Sequence, residues 1–301
     1  MLRRLTPSAL ILLLVIGVGL FSHPARAAAQ ENQKEAQAKP SKETKQDKPK
    51  ETAPEKLSAE SNGKTFTAEQ IAESVVFVYG TRQALAQIRR NGIERGKLTR
   101  IGDNGRTEEA TYERRFIRGD SSDKDKVRLD QKMPTVEYSL LYGEGRTWGL
   151  INGATFTPRQ EAATEFLSQL WHGIDALLRY KENGSTITLV GKDKRQGVDL
   201  YVLDLTDKQK RHTRYYISAK SARVLWLEYE EVPAAGVTPV KYMRKFYDYR
   251  YAQGTLVPYR TVLFEDGKQT EETRVLTITF GVKIEDSLFQ SPDSQAASIQ
   301  S

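Results

Sequence analysis

Hydrophobic and polar positions along this chain repeat with two different periods. From Thr67 onward, Ile71, Val75, Val78 and Leu85 recur at helical spacing. Thr67 with Gln70 three residues later is a capping-box signature. The two signals predict a helix over 67–90, although the run 74–79 has strand-like propensity and Gly80 falls inside the pattern. A second stripe is broader: Phe166, Leu167, Leu170, Trp171, Ile174, Leu177 and Leu178. It predicts a helix over 157–182, opened by Pro158 behind Thr157 as cap and ended at Asn183 and Gly184. Lys181 would sit near the negative end of its dipole.

The rest of the pattern alternates with period two, the signature of half-buried strands. Runs at 97–101, 107–118, 126–131, 135–142 and 147–151 precede the second helix. Runs at 186–190, 198–205, 213–218 and 222–230 follow it, and long hairpins at 240–281 close the chain. Gln253 and Gly254 mark one hairpin turn, and Asp266 and Gly267 mark another. The order is helix, five strands, helix, then antiparallel strands. It predicts an α+β fold: one large curved antiparallel sheet, a half-barrel of about eleven strands, with two main helices on its concave side. Such a sheet needs a helix or a ligand to fill its hollow.

The ends read differently. Arg3 and Arg4 precede an apolar run from Ala9 to Phe21, and Ala25, Arg26 and Ala27 follow. That is a Sec-type secretory signal over 1–27, cleaved after Ala27 or Ala29, and it predicts export to a periplasm. The run is shorter than the roughly 20 residues a membrane span needs. Residues 28–64 are rich in Lys, Glu, Gln, Ala and Pro, which predicts a disordered tether. The domain should span 65–292, with a disordered tail at 293–301.

Charge and cysteine narrow the chemistry. The formal charge is +7, but the leader contributes three of its basic groups. The remainder carries mixed signs with no concentrated patch, which argues against nucleic acid as a partner. There is no cysteine. Disulfides, thiol catalysis and a lipid-accepting cysteine are thereby excluded.

Catalytic signatures are missing. No G-x-S-x-G, HExxH, Walker or G-x-G-x-x-G pattern occurs, and no cofactor or metal is indicated. His172, placed on the polar side of the second helix near Glu165 and Asp175, and His212 both read as solvated surface imidazoles. Asp120, Asp123 and Asp125 read as a solvated loop, because the run lacks the central Gly and final Glu of a calcium loop.

Aromatic and aliphatic side chains are more suggestive. Leu276, Ile278 and Phe280 should share one strand face, as should Leu225, Leu227 and Tyr229. With Leu170 and Ile174 from the second helix they form either ordinary core or an apolar trough for an acyl chain. Burial gains about 0.8 kcal/mol per CH₂, so a long chain would bind without polar contacts. Arg244, Lys245, Arg250 and Arg260 are candidates to hold a headgroup at the rim.

Residues 248–269, DYRYAQGTLVPYRTVLFEDGKQ, and 275–292, VLTITFGVKIEDSLFQSP, resemble the C-terminal hairpins of the LolA/LolB-like group of outer-membrane lipoprotein-sorting proteins. The secretion signal and the N-terminal helix fit that group too. The resemblance covers about 50 residues. It implies an unclosed curved sheet with helices as a lid, and a carrier that takes acyl chains of lipoproteins without chemistry. The expected partners are an acyl chain of a lipoprotein or lipid and a membrane-bound donor or acceptor protein, and the expected state is a monomer. Three functions stay open: a carrier of a lipidated or hydrophobic ligand, an envelope interaction module of the same fold without a ligand, and a hydrolase of unrecognised type.

Overall fold

The computed structural model describes residues 66–290, apart from 103, 233, 234 and 237. The leader, the tether and the tail lie outside those residues. Thirteen strands form one antiparallel sheet in the order β6-β5-β4-β3-β2-β1-β13-β12-β11-β10-β9-β8-β7. The strands are β1 Asn91–Ile101, β2 Thr107–Ile117, β3 Lys126–Lys132, β4 Glu137–Gly143, β5 Arg146–Ile151, β6 Ala154–Phe156, β7 Thr186–Arg195, β8 Val198–Thr206, β9 His212–Ser218, β10 Val224–Glu231, β11 Val240–Ala252, β12 Thr255–Glu265 and β13 Lys268–Phe280. The sheet does not close, because β6 and β7 are both edges. Ladder irregularities in four strand pairs supply local bends.

The sequence pattern accounts for the hairpins well. Asp266 and Gly267 both adopt positive φ between β12 and β13, as do Gln253 and Gly254 between β11 and β12. The strand count exceeds the expected eleven. Three-residue β6 is too short to leave a periodic trace, and β1 starts six residues before the alternation is visible.

Both expected helices are broken. The first splits into α1, Ala68–Tyr79, and α2, Arg82–Ile88. Gly80 has φ +138 and ends α1, and the Thr81 hydroxyl then accepts from Ala84 N to restart the chain as α2. The capping box forms as expected: Gln70 N donates to Thr67 Oγ1, and Thr67 N donates to Gln70 Oε1. The second splits into α3, Gln160–Trp171, and α4, Ile174–Leu178, at His172 and Gly173. Thr157 does not cap it. The N-cap is Arg159, which makes no side-chain capping bond.

The ladder between β12 and β13 runs from Glu265 to Arg260 and then stops. Two residues on stands Pro258, which has no N–H to donate. Arg89, just after α2, fills the resulting wedge. Its guanidinium donates to the Leu256 carbonyl at 2.6 Å and to Thr255 Oγ1 at 3.2 Å, beside the Phe280 ring. At the other face, Phe289 after β13 is buried and Arg128 donates to the Leu288 carbonyl.

Candidate functional site

Two apolar cores lie on the helix-facing side of the sheet. The first joins β7–β12 to α1, α2 and α4. It contains Ile71, Val75, Val76 and Tyr79 from α1, Leu177 and Leu178 from α4, and Leu203, Tyr215, Leu227 and Leu256 from the sheet, all buried. Tyr79 locks α1 to the sheet: its hydroxyl donates to Tyr249 Oη at 3.0 Å, and Tyr249 donates to the Val224 carbonyl. Burial pushes the Tyr79 phenol up to about 12.

The second core belongs to the other half. Leu98, Tyr112, Phe116, Val127, Leu129, Leu140 and Phe280 form its sheet side. Its cover is α3, from which Phe166 alone is a buried apolar residue, while Leu167 and Leu170 are partly exposed. Tyr138, Phe156, Tyr259 and Ile278 at the margin are partly exposed as well.

Polar contacts hold α3 instead. Arg100 of β1 donates to Glu165 at 2.9 Å and lies 3.5 Å from Glu271 of β13. Burial, then repulsion from Glu165, pushes the Glu271 carboxyl up to about 7, against the pull of Arg100 and Arg244. Farther along, Ser168 donates to Glu231 at 2.5 Å and His172 Nε2 stands 3.1 Å from the same carboxylate. His172 Nδ1 is 2.6 Å from Thr213 Oγ1, and its ring stacks on Tyr229 at 4.1 Å. With Nε2–H donated to Glu231, Nδ1 accepts the Thr213 hydroxyl, which sets the tautomer. Burial pushes the His172 imidazole down, and Glu231 offsets part of that.

His172 is therefore a buried clasp and not the solvated imidazole its helical position suggested. The break at Gly173 turns it inward, and a continuous-helix reading cannot show that. His212 is half exposed beside Asp204, as expected.

The eight trough candidates divide. Leu227, Tyr229 and Ile174 belong to the first core, and Phe280, Ile278 and Leu170 to the second. Leu225 and Leu276 belong to neither. A ladder shift between Val224 and Trp226 turns Leu225 to the opposite face, against Trp226, Tyr216, Leu200 and Val202. A shift opposite Arg95 and Gly96 leaves Leu276 58% exposed. In both strands a bulge resets the alternation on which the shared-face expectation rested.

The expected basic rim does not assemble. Arg244 is buried near Tyr229. Arg260 pairs with Glu272 and covers Tyr247, Arg250 lies over Tyr259, and Lys245 over Phe264.

The basic groups gather elsewhere. A crevice of about 30 Å³ opens between β2, α3 and α4. Arg114, Arg118, Arg179, Asp125 and Asp175 line it, with Phe116, Val127 and Leu170 on its apolar side. Asp175 of α4 is shared by Arg118 and by Arg89, the latter at 3.2 Å. Burial raises the Asp175 carboxyl, but Arg118, Arg89, Arg114 and Arg179 outweigh it and hold the group at about 2. Asp125, expected in a solvated loop, pairs with Arg179 at 2.7 Å and accepts from Gly119 N. A second, open groove of about 340 Å³ lies on the face away from α3, along Arg95, Glu113, Asp130 and Leu276. Charged side chains line both.

No family model matches the sequence, and no curated protein matches it either. Solved structures do. A domain assigned to outer membrane lipoprotein sorting from Vibrio parahaemolyticus superposes with TM-score 0.52 at 13% identity, covering 73% of this chain and 97% of that one. A LolA superfamily protein from Nitrosomonas europaea gives 0.52 at 11% identity, covering 75% and 98%. A DUF1329 family protein from Desulfovibrio piger gives 0.54 at 11% identity, with the same coverage. At such identities the likeness concerns the fold alone, and in that sense the chain is LolA-like, an unclosed curved antiparallel sheet with helices against one face.

Proposed function

We propose that this protein is a non-enzymatic carrier, in the periplasm, of a lipidated protein, a lipid or another hydrophobic ligand. The binding place is the hollow of the β1–β6 half, beneath α3. The observation that carries the reading is the contrast in cover: an apolar half-sheet lies under a helix that buries one apolar side chain and hangs on polar clasps. A ligand chain entering there exchanges its own CH₂ groups for the few contacts that α3 makes. Each buried CH₂ is worth about 0.8 kcal/mol, so a chain of a dozen carbons offsets the lost contacts of one phenyl ring and two half-buried leucines. The trough then consists of Leu170, Ile278 and Phe280 with the sheet residues of the second core. Leu227, Tyr229 and Ile174 serve as core for the other half.

The envelope interaction module remains the alternative, and the close packing of the first core favours it. Two measurements separate them. Native mass spectrometry of protein purified from membrane extracts should show an acyl-bearing adduct. A fluorescent fatty acid should bind the wild type, and Ile278→Asp should weaken it at least about tenfold by placing a charge in the apolar path. Absence of any adduct together with absence of fatty-acid binding sinks the carrier and leaves the interaction module.

A further inference from the structure

Arg114 stands out among the arginines of the crevice because it has no polar partner. The other two are committed, and so is Arg89, which reaches Asp175 from outside the lining. Arg89 is bound to Asp175, Thr255 and the Leu256 carbonyl. Arg118 is bound to Asp175, and Arg179 to Asp125 and the Gly119 carbonyl. Arg114 makes no hydrogen bond or ion pair among the described residues, and its Nε is buried without a partner. Its guanidinium lies 5.5 Å from the Phe116 ring. Its cross-strand neighbour Glu94 is engaged by the Tyr112 hydroxyl at 2.9 Å.

The charge around the crevice does not balance. Three guanidinium groups line the crevice against two carboxylates, Asp125 and Asp175, and Arg89 adds a fourth cation at Asp175 from outside the lining. Burial, and then the guanidiniums of Arg89 and Arg179, push Arg118 down to about 10, against the pull of the two aspartates. A buried cation normally has a counterion or a hydrogen-bond acceptor. Phe116, Val127 and Leu170 on the same wall continue into the second apolar core. An excess of positive charge thus sits at one end of an apolar path.

The structure assigns this crevice to the anionic oxyacid head, carboxylate or phosphate, of the same ligand whose chain lies under α3. The inference deepens the carrier reading and rests on it. Arg114 supplies the free donors, and Arg118 and Arg179 supply field. An oxyanion at the mouth satisfies Nε and brings the local charge toward neutrality. Arginine suits the role because its planar fork matches both head groups.

The test uses the mature chain and displacement of the neutral dye N-phenylnaphthylamine. Dodecanoate, dodecyl phosphate and dodecanol share one chain and differ in head, and inorganic phosphate has the head alone. Both anionic amphiphiles should displace dye at about tenfold lower concentration than dodecanol, the scale of one charge-assisted hydrogen-bond pair. R114Q should remove that difference and leave dodecanol unchanged, while R114K should keep most of it. Equal displacement by dodecanoate and dodecanol overturns the anion site and leaves the carrier standing, and that comparison needs no variant. Preference retained in R114Q overturns it as well. Inorganic phosphate binding as tightly as dodecyl phosphate assigns the crevice to a free anion and overturns the head-group assignment. Failure of all three amphiphiles to displace dye overturns both this inference and the carrier.

Discussion

Two helices of twelve residues each, α1 and α3, lie against the same sheet and are held by opposite means. α1 is capped by a reciprocal side-chain box and buries six residues, Tyr79 among them. α3 has no side-chain cap and buries Phe166 and Ser168. α1 is fixed by area removed from water. α3 is fixed by Arg100, Glu231 and Thr213 reaching it or its C-cap His172 from the sheet. Apolar contact is lost only when surfaces separate, whereas a few ion pairs and hydrogen bonds are exchanged readily for water or for a ligand. The difference predicts that α3 opens at lower free energy than the other half of the fold.

The largest test of that contrast is a pair of truncations. Leu177→Ala, in the first core, should lower unfolding free energy by about 3 kcal/mol, because a fully buried leucine leaves a cavity. Leu167→Ala, in α3, should cost less than about 1 kcal/mol. Urea unfolding checks both, and equal losses would erase the distinction. Next, amide exchange in α3 should proceed through local opening about 2 kcal/mol below the global value, with α1 exchanging near that value. Similar protection in both helices would mean that α3 is no lid.

A smaller effect comes from the cap. Thr67→Ala should cost about 1 kcal/mol, since Gln70 N loses its acceptor while the residue-67 N–H keeps the Gln70 side chain. The same kind of change at Arg159, which makes no capping bond, should have no measurable effect.

The subtlest test is pH. Glu271 has its folded carboxyl raised from 4.5 to about 7. The folded state then binds more protons in that interval, so its contribution is full below about 4.5 and is lost as pH rises through 7. Compared with Glu271→Gln, the wild type should lose thermal stability between those values. His172 has the opposite sign: its imidazole lies below 6.5 when folded, so acidification destabilises. Taking the difference between wild type and Glu271→Gln removes the histidine contribution common to both. A flat difference across the interval would remove Glu271 from the forces on α3.

Much of this architecture can be read from the residues. Thr67 with Gln70 announced α1, and Asp266 with Gly267 announced a hairpin, because caps and turns are local chemistry written in a few side chains. The apolar stripe from Phe166 to Leu178 also marked a covering element. Its break at Gly173 did not show, since the stripe continues in phase across the glycine. Leu225 and Leu276 were misplaced for a related reason. A bulge depends on the partner strand, and a single strand's alternation carries no record of it. The crevice was the least legible part. Arg114 and Arg118 come from one region of sequence, Arg179 from another and Arg89, which backs Asp175, from a third, and only the register of β2 and the placement of α4 bring them together.

The pairing of β1 with β13 has a consequence for how this chain comes to be. The last strand among the described residues is the one that stands mid-sheet, joining two meanders whose other pairings are all between sequence neighbours. Until residues 268–280 leave the ribosome, the early strands carry an open flank at β1, and the closing contact spans nearly the whole domain, which is the slow kind to form. A truncation ahead of residue 268 would therefore remove the keystone of the arch, and not its trim.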